Sequence, residues 1–502
     1  MDKSYVWVIL ILGIFAQGCG NQTHKTQEKK SEINASELEF NASNKELVEA
    51  FNWAKNKALS YAHDGNDPVG FWYEAALPNR EAFCMRDVSH QAIGAEILGL
   101  GKHNMNMFVK FAQNISEEMD YCSYWEINRH NKPAPVDYEN EKDFWYNLPA
   151  NFDITYTAYR LYNWTGNKSY LEHPDLKQFF ELSMSKYVDH WRLCANEVLA
   201  RDRSMYVDKD DTTLRFGNKR GIPTYNEGGR GKTLLGIDMT ASLISAYKAY
   251  GSILKLSGDI TKSEAYTLKA AKEEKFLDDF WWDDEKQEYR SILYADNTFD
   301  YFMVGDDQAF LHYLYYFDVI SNQDKVNVLV DSYSDNFDKL IVELKSYLPI
   351  MFYENGDTAI ANTMIIDLCS VENKRRDYPE NSFTVIEHIT RGLMGLNVNA
   401  ESNTFSTLSR VENGNEWAIM KNVPILSNKI EIEHKGLNES KAINLIGKNI
   451  LWEARIPGTF DFLYQNGIKK KSRQGIEHGL PFSYLVVDLT SEIEVVVSID
   501  PN

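Results

Sequence analysis

The sequence is poor in cysteine, in positive charge and in long apolar runs. Its 502 residues include five cysteines, which form no C-x-x-C pair or zinc-finger spacing, and this disfavours a metal held by cysteine. The net charge of −20 disfavours binding to nucleic acid. Beyond residue 15 no segment is apolar enough to cross a membrane as a helix. We therefore predict no metal site, no cofactor and no nucleic-acid partner.

Aromatic residues, in contrast, are abundant. They make up 13% of the chain, with 11 Trp, 29 Tyr and 25 Phe. Core packing accounts for many of them. The number of tyrosines exceeds what packing needs, and rings with a polar tip are what a sugar-binding cleft uses. The composition therefore favours a globular protein that binds carbohydrate.

The N-terminus predicts an exported protein. Lys3 precedes an apolar stretch at residues 6–15 that is too short for a stable transmembrane helix. Residues 16–19 (Ala-Gln-Gly-Cys) resemble a bacterial lipobox, which implies a signal peptide over residues 1–18 and lipidation of Cys19. Ordinary signal-peptide cleavage is the alternative. Residues 19–44 are polar and predict a flexible tether, so we expect anchoring to the cell envelope, at the outer membrane or in the periplasm.

The chain then divides into a helical part and a β-rich part. Apolar residues recur at three- and four-residue steps from residue 45, and no strand-turn-strand rhythm interrupts residues 45–396, which predicts an all-α body of helical hairpins. Residues 397–502 carry short β-branched segments between Gly, Asn and Ser, which predict a small all-β sandwich. After a first helix from residue 45, the predicted helices are 88–113, 151–164, 175–198, 235–257, 260–281, 306–320, 323–342, 359–371 and 383–395.

Several short sequence segments of the helical part resemble motifs of the six-hairpin, or (α/α)6-toroid, carbohydrate-active enzymes. Residues 162–171 (YNWTGNKSYL) look like the TGD-x-x-YL linker of those enzymes, and residues 276–282 (FLDDFWW) with Tyr289 are similar to their F…FW…Y helix end. Met85-Arg86-Asp87 is similar to the acidic motif of several exo-acting members. The resemblance implies a catalytic (α/α)6 toroid in which Asp87 donates a proton or grips the terminal sugar.

The segment around Asp87 is the first candidate for catalysis. On a helix, Arg86, Asp87 and His90 would lie near one another, and such a group is costly to bury without a purpose. The structural alternative is a cluster of hydrogen-bonded polar side chains that joins the start of the helix to a neighbouring element. Glu380 follows Pro379 at the start of the last predicted helix, where the helix dipole favours a negative group.

Glycoside hydrolysis needs two carboxyl groups, one protonated and one ionised. The first and last hairpins of a toroid meet when it closes, so Asp87 and Glu380 could face each other across its mouth. We therefore predict Asp87 as the acid and Glu380 as the base. Their separation would be ~6.5–9.5 Å for inversion and ~5–5.5 Å for retention.

Other acids, amides and aromatic residues near these segments are candidates for substrate binding. A well-packed loop that plugs the toroid is the alternative for the segment at 143–153. Together with Arg86, the predicted binding residues are Tyr124, Trp125, Glu126, Arg129, Trp145, Tyr146, Asn147, Asn151 and Glu227.

A second chemistry is open to the same residues. Enzymes that cleave uronate glycans by β-elimination need a cation at the carboxylate and a Tyr or His at the C5 proton. Arg86 and Arg129 could supply the cation, His90 the base, and Tyr124 or Tyr146 the acid or base. The arginines among the cleft candidates favour a uronate-containing glycan.

We predict a glycoside hydrolase that acts at the non-reducing end of oligosaccharides from a complex, uronate-containing polysaccharide. A polysaccharide lyase or oligosaccharide dehydratase is the alternative. A non-catalytic, lipid-anchored glycan-binding protein is the second alternative, and the density of acids among the cleft aromatics disfavours it.

Overall fold

The computed structural model describes residues 36–77, 79–201, 214–217, 219–227, 232–304 and 310–501. The predicted signal peptide, Cys19 and most of the predicted tether lie outside these residues. The helices are α1 (Lys45–Ser60), α2 (Met85–Ile97), α3 (Gly101–Gln113), α4 (Ala150–Thr165), α5 (Ser169–Glu172), α6 (Pro174–Leu182), α7 (Val188–Trp191), α8 (Ile237–Leu256), α9 (Ile260–Phe276), α10 (Tyr313–Tyr316), α11 (Gln323–Asn336), α12 (Val342–Lys345), α13 (Pro349–Glu354), α14 (Thr358–Cys369) and α15 (Pro379–Glu387).

Most of these helices alternate in chain order between an outer and an inner ring. The pairs are α1 with α2, α3 with α4, α6 with α8, α9 with α10, α11 with α13, and α14 with α15. Inner helix α2 buries every residue except Arg86 and Glu96, whereas outer helix α9 buries mainly Ser263, Ala270 and Glu273. A helix that is buried all round belongs inside a larger assembly, so the rings follow from the sequence pattern.

The inner ring closes between its first and last helices. Helix α2 packs on α4, α4 on α8, and α15 on α2, which confirms that the first and last hairpins adjoin. Gly94 permits the contact, because a Cβ there would collide with the Phe383 carbonyl oxygen. The predicted helix 88–113 is in fact two helices, α2 and α3, that turn at Gly99 with a φ of 86°.

The segment at residues 162–171, which resembles the linker motif, contains the end of a helix. Helix α4 ends at Gly166, which has a φ of 69° and donates its backbone N–H to the Tyr162 carbonyl oxygen at 2.7 Å. This is a left-handed C-terminal cap, for which glycine is the preferred residue. The Thr-Gly-Asn stretch therefore marks a hairpin turn for a local steric reason.

The helical part is not all-α, because short strands connect its helices. Those strands are β2 (Ala62–Asp64), β3 (Phe71–Tyr73), β4 (Ala82–Cys84), β5 (Glu126–Asn128), β6 (Lys132–Pro133), β7 (Tyr138–Asn140), β8 (Asp143–Phe144), β9 (Tyr146–Asn147), β10 (Arg220–Ile222), β11 (Thr233–Gly236), β12 (Trp282–Asp283), β13 (Glu288–Tyr289), β14 (Ile292–Tyr294) and β15 (Phe299–Asp300). They form small two- and three-stranded sheets. The prediction of an all-α body was wrong in this respect, since strands this short leave little periodicity in a sequence.

The C-terminal part is a sandwich of two sheets, with one strand supplied from the N-terminal side. Its strands are β1 (Glu39–Ala42), β16 (Asn397–Asn399), β17 (Thr404–Leu408), β18 (Trp417–Ile425), β19 (Asn428–Lys435), β20 (Glu439–Ile446), β21 (Ile450–Pro457), β22 (Phe462–Gln465), β23 (Ile468–Lys471), β24 (Arg473–Glu477), β25 (Leu480–Leu489) and β26 (Glu494–Ser498). The sheet orders are β1-β18-β19-β20-β26-β22-β23 and β16-β17-β21-β25-β24.

Strand β1 corrects the predicted extent of the tether. It pairs antiparallel with β18, from Glu39 opposite Lys421 to Ala42 opposite Ala418. Its Phe40 is buried and lies 5.1 Å from the Phe51 ring of α1. Residues 39–42 therefore join the sandwich to the first outer helix, and the polar composition around them concealed this role.

We expect Phe40→Ala to lower the free energy of unfolding by about 3–5 kcal/mol, as for other buried aromatic residues. Thermal denaturation followed by circular dichroism measures the loss. Glu39→Gln is the matched control, because that side chain is exposed on the same strand and its replacement should leave the melting temperature unchanged. A Phe40→Ala protein that melts with the wild type would show that β1 contributes nothing to stability.

The described cysteines Cys84, Cys122, Cys194 and Cys369 are free thiols. Among the described residues, no helix combines the length and apolar character needed to cross a bilayer.

Candidate active site

A cavity of about 280 Å³ opens at the end of the toroid where α2 and α15 begin. The N-termini of these helices carry a partial positive charge, which favours carboxylates there. The described residues that line the cavity are Ala76, Leu77, Arg80, Cys84, Arg86, Asp87, Trp125, Glu126, Asp137, Trp145, Glu227, Glu343 and Tyr378.

Asp87 lies in the first turn of α2, at the base of this cavity. Its Oδ1 lies 3.4 Å from the Arg86 Nε, and its Oδ2 accepts a hydrogen bond from the Tyr378 hydroxyl at 3.4 Å. Burial raises the pKa of Asp87, and Arg86 acts in the opposite direction. Two donors thus face a carboxylate that still borders the cavity.

Glu380 lies beside Asp87 but does not line the cavity. It is 1% exposed, and neither of its carboxyl oxygens has a hydrogen-bond partner of normal geometry among the described residues. Burial and the negative charge of Asp87 raise the pKa of Glu380 well above its usual range. Burial of this kind favours the neutral form of Glu380, whereas Arg86 and the Tyr378 hydroxyl favour the charged form of Asp87.

Glu126 and Asp137 are a second pair of acids in the cavity wall, and a small sheet positions Glu126. Strand β4 leads into α2 and pairs with β5, which places Cys84 opposite Glu126. Arg80 donates from Nη1 to Glu126 Oε2 at 2.8 Å, and the same nitrogen lies 3.9 Å from Asp137 Oδ2. Burial, followed by the charge of Asp137, raises the pKa of Glu126 to about 7. Near neutral pH, Glu126 can therefore give or take a proton.

Aromatic side chains form part of the cavity wall. Trp125 is 7% exposed, and Trp145 is half-buried, with its indole N–H donated to Asn147 Oδ1 at 2.9 Å. The Arg86 guanidinium lies over the Tyr225 ring, 5.4 Å from its centroid. These faces could stack on a sugar ring.

Two deeper acids hold Tyr225 in place beneath Arg86. The Tyr225 hydroxyl donates to Asp153, and its backbone N–H donates to Asp238 Oδ2 at 2.6 Å. Burial raises the pKa of Asp153 to about 8 and that of Asp238 to about 6. Both acids lie behind the cavity and position its wall.

Of the predicted site residues, the cavity brings together Arg86, Asp87, Trp125, Glu126, Trp145 and Glu227. His90 does not join them. It lies one turn further along α2, bonded to Ser346 Oγ at 3.2 Å and stacked on Tyr347 at 3.4 Å, where it lines a different cavity. Burial lowers the pKa of His90 well below its usual range.

The remaining predicted residues also lie outside the cavity. Arg129 is engaged by Asp67 and Glu81, at 2.7 and 2.5 Å, so it ties two loops together. Tyr124 borders a separate shallow depression. The other three are buried in a polar network in which the Tyr146 hydroxyl donates to Asn151 Oδ1 at 2.5 Å and Asn147 donates to the Thr224 carbonyl oxygen at 2.7 Å. Part of the 143–153 segment is therefore a packed loop, as the structural alternative held.

Sequence reasoning did not single out Arg80 or Glu343. Arg80 follows a short turn before β4, and Glu343 lies in the single turn of α12, where Arg375 binds it at 2.5 Å. Neither residue stands in a recognisable pattern. The acidic character of the regions around Asp137 and Tyr378 was visible, but their meeting at one cavity was not.

One group of potential metal ligands occurs among the described residues, and none of its members lines the Asp87 cavity. Glu354, Glu477 and His478 offer ligand atoms within 4.8 Å of one another. Glu477 is already bound by Arg455 at 2.7 Å and lies 3.6 Å from Arg410. Two guanidinium groups beside the same carboxylate disfavour a further cation there.

No family model matches this sequence, and no curated protein matches it. Solved structures do match the fold. The α-L-rhamnosidase from Dictyoglumus thermophilum superimposes with a TM-score of 0.59 at 14% identity, over 92% of this chain and 50% of that one. The α-L-rhamnosidase from Streptomyces avermitilis, complexed with L-rhamnose, gives 0.53 at 11% identity, over 92% and 42%. A sialidase gives 0.51 at 10% identity, over 81% and 40%.

These similarities concern the fold. The chain spans at most half the length of these three proteins. It shares with these structures a fold in which a toroid of helical hairpins is followed by a β domain. The predicted resemblance to the toroid superfamily is thus confirmed for the fold, and activity has to be argued from the cavity.

Proposed function

We propose that this protein is a glycoside hydrolase that removes the sugar at the non-reducing end of an oligosaccharide. The observation that carries the proposal is the pairing, in one cavity, of an acid poised near neutral pH, Glu126, with a second carboxyl group, Asp87, which faces the donors of Arg86 and Tyr378. Two such carboxyl groups are what glycosidic hydrolysis requires. The tryptophan faces beside them suit a sugar ring.

The proposed roles differ from those predicted from the sequence. Glu126 gives its proton to the glycosidic oxygen as the bond to the anomeric carbon breaks. Asp87 takes a proton from the attacking water, whose oxygen forms the new bond. Arg80 and Asp137 hold the Glu126 carboxyl, and Arg86 and Tyr378 hold Asp87. Glu380 does not line the cavity, so it acts as a positioning residue beside Asp87.

The positioning role of Glu380 can be tested by changing the ability of its side chain to donate a hydrogen bond. We expect Glu380→Gln to keep kcat within about tenfold of the wild type, because an amide N–H can replace the carboxyl proton beside Asp87. Glu380→Ala should lower kcat by at least ~100-fold, since it leaves Asp87 without that neighbour. Initial rates of sugar release measure both. Equal losses in the two variants would contradict a protonated, donating Glu380.

A cavity of about 280 Å³ is near the small end of ligand sites and suits a single terminal sugar. We propose that this sugar comes from a complex, uronate-containing polysaccharide. Arg80 and Arg86 are the arginines in the described wall, and each already faces a carboxylate of the protein. A uronate at this subsite would compete with those carboxylates, which favours a neutral terminal sugar with the uronate further along the chain.

Incubation with saturated and unsaturated uronate oligosaccharides and with neutral ones, followed by mass spectrometry and absorbance, tests the proposal. We expect the loss of one sugar without a near-ultraviolet signal. A product with a new unsaturated uronate would establish elimination instead. Binding without any change in mass would establish the glycan-binding alternative. The positions of His90 and Arg129 outside the cavity count against elimination at this site.

We also propose export and lipid anchoring through Cys19, from the N-terminal sequence. Cys19→Ser should move the protein from the membrane fraction to the soluble extract and abolish labelling by a fatty-acid analogue. Lipidation would be contradicted if the Cys19→Ser protein stayed in the membrane fraction and the wild-type protein took up no label.

A further inference from the structure

A second cavity, of about 390 Å³, lies at the opposite end of the toroid. Its wall is formed by residues of, or next to, the inner helices α2, α4, α10, α13 and α15. Four residues of the sandwich complete it: Asn397, Arg455, Glu477 and His478. It has no lining residue in common with the cavity that contains Asp87. Its volume falls within the range of small-molecule sites.

Two arginines share one carboxylate in this wall. Glu387 Oε1 accepts from Arg160 Nη2 at 2.6 Å and from Arg391 Nη1 at 2.7 Å. Arg160 Nη1 has no hydrogen-bond partner among the described residues, and Arg391 Nη2 makes one long contact, 3.4 Å from Asn397 Oδ1. The triad carries one net positive charge and spare donors. Buried donors of this kind are costly unless an acceptor meets them.

Flat aromatic faces surround the same guanidinium group. Arg160 lies over the rings of Tyr156 and Tyr316, 5.6 and 5.5 Å from their centroids. His90 and Tyr347 stack on each other at 3.4 Å in the same wall. Sugar rings pack on such faces, while inorganic anions gain nothing from them.

The acids of the wall provide acceptors for hydroxyl groups. Glu354 accepts from the Tyr315 hydroxyl at 2.6 Å, and Asp318 is exposed at the mouth. These carboxylates would repel a polyanion at the rim, but they can accept hydrogen bonds from a polyhydroxylated ligand. The wall thus combines a cationic triad, aromatic faces and acceptors, which matches a sugar that carries one carboxylate.

We propose that this cavity is a binding site for an acidic saccharide, a uronic acid unit whose carboxylate pairs with Arg160 and Arg391. The site is separate from the hydrolytic one. It would hold a uronate-containing chain or its released end at the sandwich side of the toroid while the other end is cleaved elsewhere.

Calorimetric titration of the full-length protein with glucuronate, galacturonate and the neutral glucuronamide tests the proposal. We expect at least one uronate to bind roughly tenfold or more tightly than the amide, because the charge-assisted pair is lost in the amide. This comparison uses the wild-type protein and needs no variant to fold.

Variants then place the site. Arg391→Gln should weaken uronate binding at least ~tenfold, and Arg391→Lys should recover part of the loss, because lysine keeps the charge without the planar fork. Arg473→Gln, at an exposed arginine of β24 that lines neither cavity, is the matched control and should leave the affinity unchanged. Equal binding of acid and amide, wild-type affinity in a folded Arg391→Gln protein, or an equal loss in Arg473→Gln would each overturn the proposal.

Discussion

Replacing Asp87 by asparagine should lower kcat/KM for release of the terminal sugar by at least ~10³-fold. The amide has nearly the shape of the carboxylate and keeps a contact with Tyr378, but it can neither accept a proton from water nor balance the charge of Arg86. The effect should fall mainly on kcat, because the lost interaction belongs to the transition state. Initial rates measured by mass spectrometry or by reducing ends would show it.

Asp377→Asn is the matched control for this variant. Asp377 precedes Tyr378, but its side chain is exposed and pairs with Lys57 at 3.3 Å. Its replacement should leave kcat within about twofold, since exposed ion pairs contribute little. A folded Asp87→Asn protein that retains most of the wild-type rate would remove Asp87 from the mechanism.

Replacing Glu126 by glutamine should lower kcat by ~10²–10⁴-fold and change the pH profile. In the wild type, a general acid with a pKa of about 7 is protonated below that pH and loses its proton above it. Activity should therefore decline as the pH rises through about 7. Glutamine does not titrate, so the residual activity of the variant should lack this alkaline decline.

The choice of leaving group in the substrate distinguishes a Glu126 that acts as a general acid from one that has only a structural role. A substrate whose leaving oxygen is already acidic, such as a nitrophenyl glycoside of the cleaved sugar, needs little protonation. Glu126→Gln should cleave it within about tenfold of the wild-type rate while failing on the natural linkage. The same loss on both substrates would indicate that Glu126 acts through structure.

Local sequence patterns predicted the helical hairpins well and the short strands between them poorly. Helices such as α1 and α8 are long enough for their apolar period to be visible, and Gly166 marks a turn by its own sterics. The strands between the helices are two to four residues long, too short for alternation to register. Strand β1 was missed because its pairing with β18 depends on residues nearly 380 positions away.

The motif around Asp87 could be recognised because residue types and spacing were local. Its chemistry could not, because a pKa depends on neighbours from other hairpins. The packing of α15 on α2 buries Glu380 beside Asp87 and so raises its pKa. The β4–β5 pairing and the approach of Asp137 raise the pKa of Glu126 to about 7. His90 lies one turn further along α2 than Asp87, and its ring is held there by Ser346 and Tyr347, which come from another hairpin, so it borders the other cavity.

The amino-acid order alone determined the hairpin architecture, the change to strands near residue 397 and the acidic, aromatic composition of the loops, since each depends on short-range periodicity and turn chemistry. Tertiary packing alone decided which acids share a cavity, which carboxyl groups have raised pKa values and which arginines have unused hydrogen-bond donors. The reason is that desolvation and Coulomb interactions act between groups brought close in space, whatever their separation along the chain.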